Sequence, residues 1–156
     1  HMDMFIDPPG FAGKVRPGVL TPPYEAAYKE RWRQQQELGE VQYDRLTHCE
    51  PPGYPRWLLE PYSHEFINLP HESYLINDYG PGIRRVYIGQ EHKNVYGTHS
   101  WYGDTIGFWD GDVLVTRTTN VQAWTQHTTW EFSYEFETVE KFGPVAQSLR
   151  DAGPRG

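Results

Sequence analysis

From His64 onward, apolar and polar side chains alternate with a period of two, the pattern of a strand that shows one face to a core and the other to solvent. Segments 64–69, 73–79, 83–88, 101–109, 112–120 and 128–141 are predicted as strands, and the short breaker-rich joints between them, such as GPG, GQEHKN and DG, predict an antiparallel meander. The last segment alternates most cleanly: Trp130, Phe132, Tyr134 and Phe136 fall on one side, Glu131, Ser133, Glu135 and Glu137 on the other. Six strands suffice for a small antiparallel barrel or a strongly curved sheet, lipocalin-like in architecture and able to hold one small ligand. Upstream the pattern changes. Residues 1–21 hold too many prolines and glycines for a regular element and predict an extended, proline-rich arm. Thr21 offers an N-cap, Pro22 suits a first helical turn, and Tyr24, Ala27, Tyr28 and Trp32 recur at helical spacing before Gly39, so one helix is predicted over 22–38. The stretch HCEPPGYPRWLLEP is too rich in proline for a helix or a central strand and predicts a rigid loop. Past Phe142 the periodicity is lost, and 143–156 is expected to form a fraying tail on a single domain spanning 1–156.

The stretch GDTIGFWDGDVLVTRTTN, residues 103–120, carries the sharpest local signal. A two-residue loop at Asp110-Gly111 predicts a type I′ hairpin in which Phe108 faces Val113, Ile106 faces Val115 and Asp104 faces Arg117. Ile106, Phe108, Val113 and Val115 form the more apolar face, so that face is expected inward, taking the Asp104–Arg117 pair with it. The pair then has two readings. At solvent-open strand ends it is an ordinary ion pair; lining a cavity, it is the polar end of a small-molecule site.

Composition narrows the function classes. Six Trp, eleven Tyr and seven Phe in a chain only 37% hydrophobic mean that a few rings carry much of the burial and suit a ring-lined interior. The net charge of −7, with lysines and arginines scattered, argues against nucleic acid and anionic membranes, and no apolar run is long enough to insert in a bilayer. A soluble chain is expected, cytoplasmic unless a leader has been removed, a point that the tag-like His1-Met2 leaves open. A lone cysteine, Cys49, excludes an internal disulfide; beside His48 it reads more naturally as a structural thiol than as a nucleophile, since adjacent residues rarely face each other. No histidine has a metal-ligand spacing and no glycine-rich phosphate loop is present, so neither metal nor cofactor is expected. His64 and His99 are the candidate acid–base histidines, held on or beside strands. Arg85 and Tyr87 share one face of their strand and Arg84, Val86 and Ile88 the other, so one arginine is expected inside or at an interface, where it could hold a carboxylate, phenolate or enolate.

Three strings carry a resemblance: C-E-P-P-G-Y-P-R from Cys49, I-R-R-V-Y from Ile83 with His92 after it, and G-D-T-I-G-F-W-D-G-D-V-L-V-T-R-T from Gly103. Together they resemble a broad group of small bacterial proteins whose pattern runs C…G-x-P-R, then I-R-R-I-Y-x-D-G-R-x-H, then G-x-S-I-G-x-W-x-G-D-T-L-V-V-x-T. The match covers about Cys49 to Thr118; Gly89-Gln90-Glu91 stands where the group has D-G-R, and Thr105 where it usually has Ser. The resemblance implies kinship and a β-rich fold, and no reaction.

The reading that gathers these features is a cofactor-independent lyase or isomerase acting on a small apolar or aromatic molecule. Asp104, Arg117, His99, His64 and Tyr87 are its candidate catalytic residues; Phe108, Trp130, Phe132, Tyr134, Phe136 and Arg85 would hold the substrate. A non-enzymatic carrier of a hydrophobic small molecule is the alternative. A protein-interaction module, which allows a homo-oligomer, is the third.

Overall fold

A computed structural model describes residues 21–39, 48–59, 62–78, 82–94, 96–125 and 131–144. The proline-rich arm before Thr21, Trp130, and the tail beyond Pro144 lie outside the described residues. Helix α1, Pro22–Glu37, begins after an extended Thr21 whose side chain makes no capping hydrogen bond; Pro22 in the first turn is enough to start it, because its φ is already helical. Leu38 closes it, its N–H reaching the Gln34 carbonyl at 3.2 Å, and Gly39, at φ +68°, turns the chain away. Charged side chains pair along its surface, Lys29 with Glu25 and Arg33 with Glu30.

The strands are β1 His64–Asn68, β2 Glu72–Asn77, β3 Ile83–Ile88, β4 Asp104–Asp110, β5 Val113–Thr119, β6 Trp124–Thr125, β7 Glu131–Phe132 and β8 Thr138–Phe142. Six form one sheet in the order β1-β2-β3-β4-β5-β8, while β6 and β7 make a separate pair. The sheet curls into a half-barrel until the rings of Phe66 on β1 and Phe142 on β8, its two edge strands, stand 5.5 Å apart. The fold is mainly β, as the alternation predicts, with two differences in pairing. The meander is not antiparallel throughout: β3 and β4 run parallel, with Val86 opposite Thr105, because the long connection 89–103 carries the chain back to the end where β3 began. The predicted strand 128–141 is also broken. Ser133 takes the backbone N–H of Glu135 on its hydroxyl at 3.1 Å and that of Phe136 on its carbonyl at 3.2 Å, a local turn that outcompetes the ladder, so among the described residues of that stretch 138–142 alone joins the six-stranded sheet.

The proline-rich loop supplies the plug. Tyr54 and Trp57, the latter in a 3-10 turn at Arg56–Leu59, lie buried against the inner face of the sheet, where Trp57 packs with Leu75 and Val86. The β4–β5 hairpin has the predicted location and a different register. Its two-residue loop is Gly111-Asp112, with Asp110 opposite Val113; only Gly111 takes positive φ, +58°, the pattern of a II′-type turn with glycine first. Phe108 therefore faces Val115, Ile106 faces Arg117 and Asp104 faces Thr119. A shift of two residues preserves which side chains share a face, but the faces are inverted relative to expectation: Leu114, Thr116, Thr118 and Thr105 are buried, whereas Phe108 is 56% exposed. Polarity within the hairpin does not choose the inner face. The plug does, by covering that face, together with Arg84 and Glu140, which give the threonine hydroxyls hydrogen-bond partners.

Gly103 makes the step into β4. It sits at φ +70°, and a Cβ there would stand 2.6 Å from the Thr119 carbonyl oxygen and 2.7 Å from the Thr118 methyl. Gly103→Ala is expected to lose about 1–3 kcal/mol through its backbone conformation alone, with the overlap adding to it. A chemical-denaturation midpoint equal to that of the wild type would contradict this placement of the residue.

Candidate functional site

Asp104 projects on the outer face of the sheet, yet it is only 7% exposed. The connection after β3 folds over it. The backbone N–H of Asn94 donates to its Oδ2 at 2.8 Å, and Nδ1 of His92 stands 3.3 Å from the same oxygen. Both ring nitrogens of His92 are shielded from solvent and make no hydrogen bond among the described residues, so the approach to Asp104 is the polar contact that His92 has. Asn94 is itself fixed, its side-chain oxygen accepting the Thr98 N–H at 3.1 Å. The 92–94 segment is thus a short clamp on a carboxylate.

Parallel pairing of β3 and β4 puts Arg85 and Tyr87 beside Asp104 and Ile106 on this outer face. Between them and the clamp opens a groove of about 410 Å3, lined among others by Arg85, Tyr87, Lys93, Tyr102 and Asp104. That volume is within the range of small-molecule sites. Two cations converge on one ring: the Arg85 guanidinium stands 5.8 Å, and the Lys93 Nζ 5.4 Å, from the centroid of Tyr87. Arg85 also lies 5.2 Å from the Tyr74 ring and 3.5 Å from a carboxylate oxygen of Glu72, whose other tie is the Tyr74 hydroxyl. The hydroxyls of Tyr87 and Tyr74, and then the Glu72 charge, hold the guanidinium above its ordinary pKa. At the far wall, burial pushes the Tyr102 phenol up.

The inner face carries a second polar cluster, closed rather than open. Arg84, 1% exposed, lies under the Tyr54 ring at 4.3 Å, pairs with Glu140 at 2.6 Å, and donates to the hydroxyls of Thr105 and Thr118. Thr116 and Thr138 donate to the two oxygens of Glu140, at 3.0 and 2.6 Å. Desolvation pushes Glu140 up to about 8 and Arg84 down to about 9, while the attraction across 2.6 Å works against both shifts. This cluster braces β3, β4, β5 and β8. Arg84 is the inward arginine; Arg85 faces out.

Of the predicted site residues, the fold brings Asp104, Tyr87 and Arg85 into one groove. Arg117 does not join them. It is half exposed and pairs with Glu137 at 2.8 Å, because the register puts Thr119, not Arg117, opposite Asp104. His64 lies on the inner face, its Nε2 within 3.1 Å of the Trp57 carbonyl and 2.9 Å of Asn77 Nδ2, with the Trp57 ring packed edge-on against it. His99 approaches the Tyr134 carbonyl at 3.1 Å and packs against the ring of the same residue. Phe108 and Tyr134 are exposed and Phe136 packs at 6.4 Å from Tyr54, so these three rings do not form the single lining expected of them; the Phe132 backbone belongs to β7. Lys93 and Tyr102, which the sequence pattern does not mark as site residues, complete the groove, and His92 backs Asp104 from behind it. Their sequence signal is the length of the 89–103 gap, too long for a hairpin and suited to a crossover that returns over the sheet face. Among the described residues, no three His, Cys, Asp or Glu side chains converge as metal ligands would, and no helix is long and apolar enough to cross a membrane. Comparison with protein-family models, curated proteins and solved structures gave no match to this chain.

Proposed function

We propose that the groove takes a small ring-bearing molecule and that Asp104 exchanges a proton with it, in a cofactor-independent reaction of lyase or isomerase type. The observation that carries this reading is a carboxylate withdrawn from bulk water that still opens on a groove of small-molecule size. Asp104 would take a proton from a carbon next to a substrate carbonyl, and the electron pair would pass onto the carbonyl oxygen as an enolate. Arg85 and Lys93 supply positive charge for that oxygen. In an isomerase the proton returns at a neighbouring carbon; in a dehydratase it goes to the departing hydroxyl, which leaves as water. His92 touches Asp104 and not the substrate, so its part is positioning. Unlike a lipocalin-like barrel with its ligand inside, this sheet has Tyr54 and Trp57 on its inner face, so the ligand belongs in the outer groove. Kinship with the small bacterial group is part of the same proposal.

The alternative is a binding protein without chemistry. It is favoured by one observation: Asn94 and His92 both meet the same Asp104 oxygen, as they would if the carboxylate served only to pin the 92–94 segment.

Deuterium uptake separates the two. With phenylacetone and phenylpyruvate in heavy water, followed by NMR, the wild-type chain should speed exchange at the carbon beside the ketone. Asp104→Asn should slow it by about 100-fold or more, the usual scale for a general base. Arg117→Ala should match the wild type. Absence of any acceleration by the wild type would sink the catalytic reading and leave the binding one.

A further inference from the structure

We infer that the groove's ligand carries a carboxylate, seated by Lys93 and Arg85 against the Tyr87 ring. This rests on the reading of the groove as a small-molecule site. The charges around it are unevenly committed. The carboxylates of Asp104 and Glu72 are engaged, the first by the Asn94 N–H and His92, the second by the Tyr74 hydroxyl and Arg85. Lys93 differs, since among the described residues no carboxylate stands within ion-pair distance of its ammonium, although the chain as a whole carries a net charge of −7. Two cations drawn to one ring repel each other, and an anion between them relieves that repulsion while keeping both ring contacts.

The geometry also selects the kind of anion. Arg85 already stands 3.5 Å from Glu72, and no glycine-rich loop supplies a nest of backbone N–H groups, so a planar monoanion fits better than a phosphate dianion. Asp104 repels a carboxylate while Lys93 and Arg85 attract one, which keeps the charged group on the two cations and leaves the uncharged part of the ligand to meet Asp104. An arylacetate or aryl 2-oxo acid has the required shape, its acidic C–H beside the carboxylate in the first and beside the ketone in the second.

The test is titration by ligand-observed NMR with phenylacetate, neutral phenylacetamide and cationic phenethylamine, at low and at high salt, on the wild-type chain, Lys93→Met and Lys93→Arg. Lys93 is exposed, so neither change disturbs the core. Phenylacetate should bind at least tenfold tighter than phenylacetamide, and phenethylamine weakest. Lys93→Met should erase the preference, Lys93→Arg should keep it, and salt should weaken it. Equal affinity for phenylacetate and phenylacetamide, a preference for the amine, or no binding of any probe overturns the inference. The two proposals fail separately. Lys93-dependent phenylacetate binding without deuterium uptake removes the chemistry and keeps the carboxylate; uptake by phenylacetone without a carboxylate preference does the reverse.

Discussion

Arg84→Met should be the most damaging single change in the sheet, with a loss of about 3–5 kcal/mol near pH 8.5, or roughly 10 °C in melting temperature for a chain of this size. The reason is the company that Arg84 keeps. It holds Glu140 at 2.6 Å and two threonine hydroxyls while being 1% exposed itself, so its removal leaves a buried carboxylate with hydroxyl donors but no countercharge. The loss should shrink at pH 5. Glu140, at about 8 in the fold against 4.5 for an ordinary glutamate, keeps a proton there and needs no cation. The sign for the wild type follows from the same shift. Between 4.5 and 8 the folded chain holds a proton that the unfolded chain has released, so the Glu140 contribution to stability falls as pH rises through that window. Arg84, lowered to about 9, acts oppositely: above that pH the folded chain has given up a proton that the unfolded chain still holds, and stability rises. The double change Arg84→Met with Glu140→Leu should recover most of the single-variant loss, because it removes both desolvated charges together. Melting curves at pH 5 and 8.5 for the wild type and the two variants decide the matter. An Arg84→Met variant that melts with the wild type at both pH values would mean that the guanidinium contributes no net stability.

Trp57→Ala should cost about 3–5 kcal/mol. Trp57 is fully buried between Leu75 and Val86, and its ring is also the surface against which His64 packs at 4.7 Å. Without it, Tyr54 is the one large fully buried anchor left among the described residues of the proline-rich loop. Trp57→Phe should cost far less, about 1–2 kcal/mol on the scale of a smaller volume change, for two reasons. Most of the ring volume remains, and the indole Nε1, buried with no hydrogen-bond partner among the described residues, is no longer there to be desolvated. The Trp57 carbonyl, which His64 and Asn77 approach, survives both changes. Denaturant titration of the two variants should therefore separate them clearly; equal midpoints would show that the ring is not what joins loop to sheet.

The same residues show how far the chain can be read without its fold. Period-two alternation locates β1 to β5 within one to three residues, and proline crowding marks the plug loop, because both signals are local: they come from backbone sterics and from neighbours two positions apart. The arrangement of Arg85 and Tyr87 on one face and Arg84 on the other is legible for the same reason, and so is Asp104 as a carboxylate worth explaining. What covers each face is a different matter. The hairpin's apolar residues predict Ile106 and Phe108 inside, but Tyr54, Trp57 and Arg84 arrive from distant parts of the chain and make the threonine face the inner one. Asp104 finds the Asn94 N–H and His92 rather than Arg117 for the same reason: a two-residue difference in register and one parallel pairing decide its neighbours. Sequence alone determined where β1 to β5 lie and which of their side chains travel together on a face, since those are properties of the local backbone. Only the tertiary structure decided which face is buried and which charges meet, since long-range pairing and burial settle both.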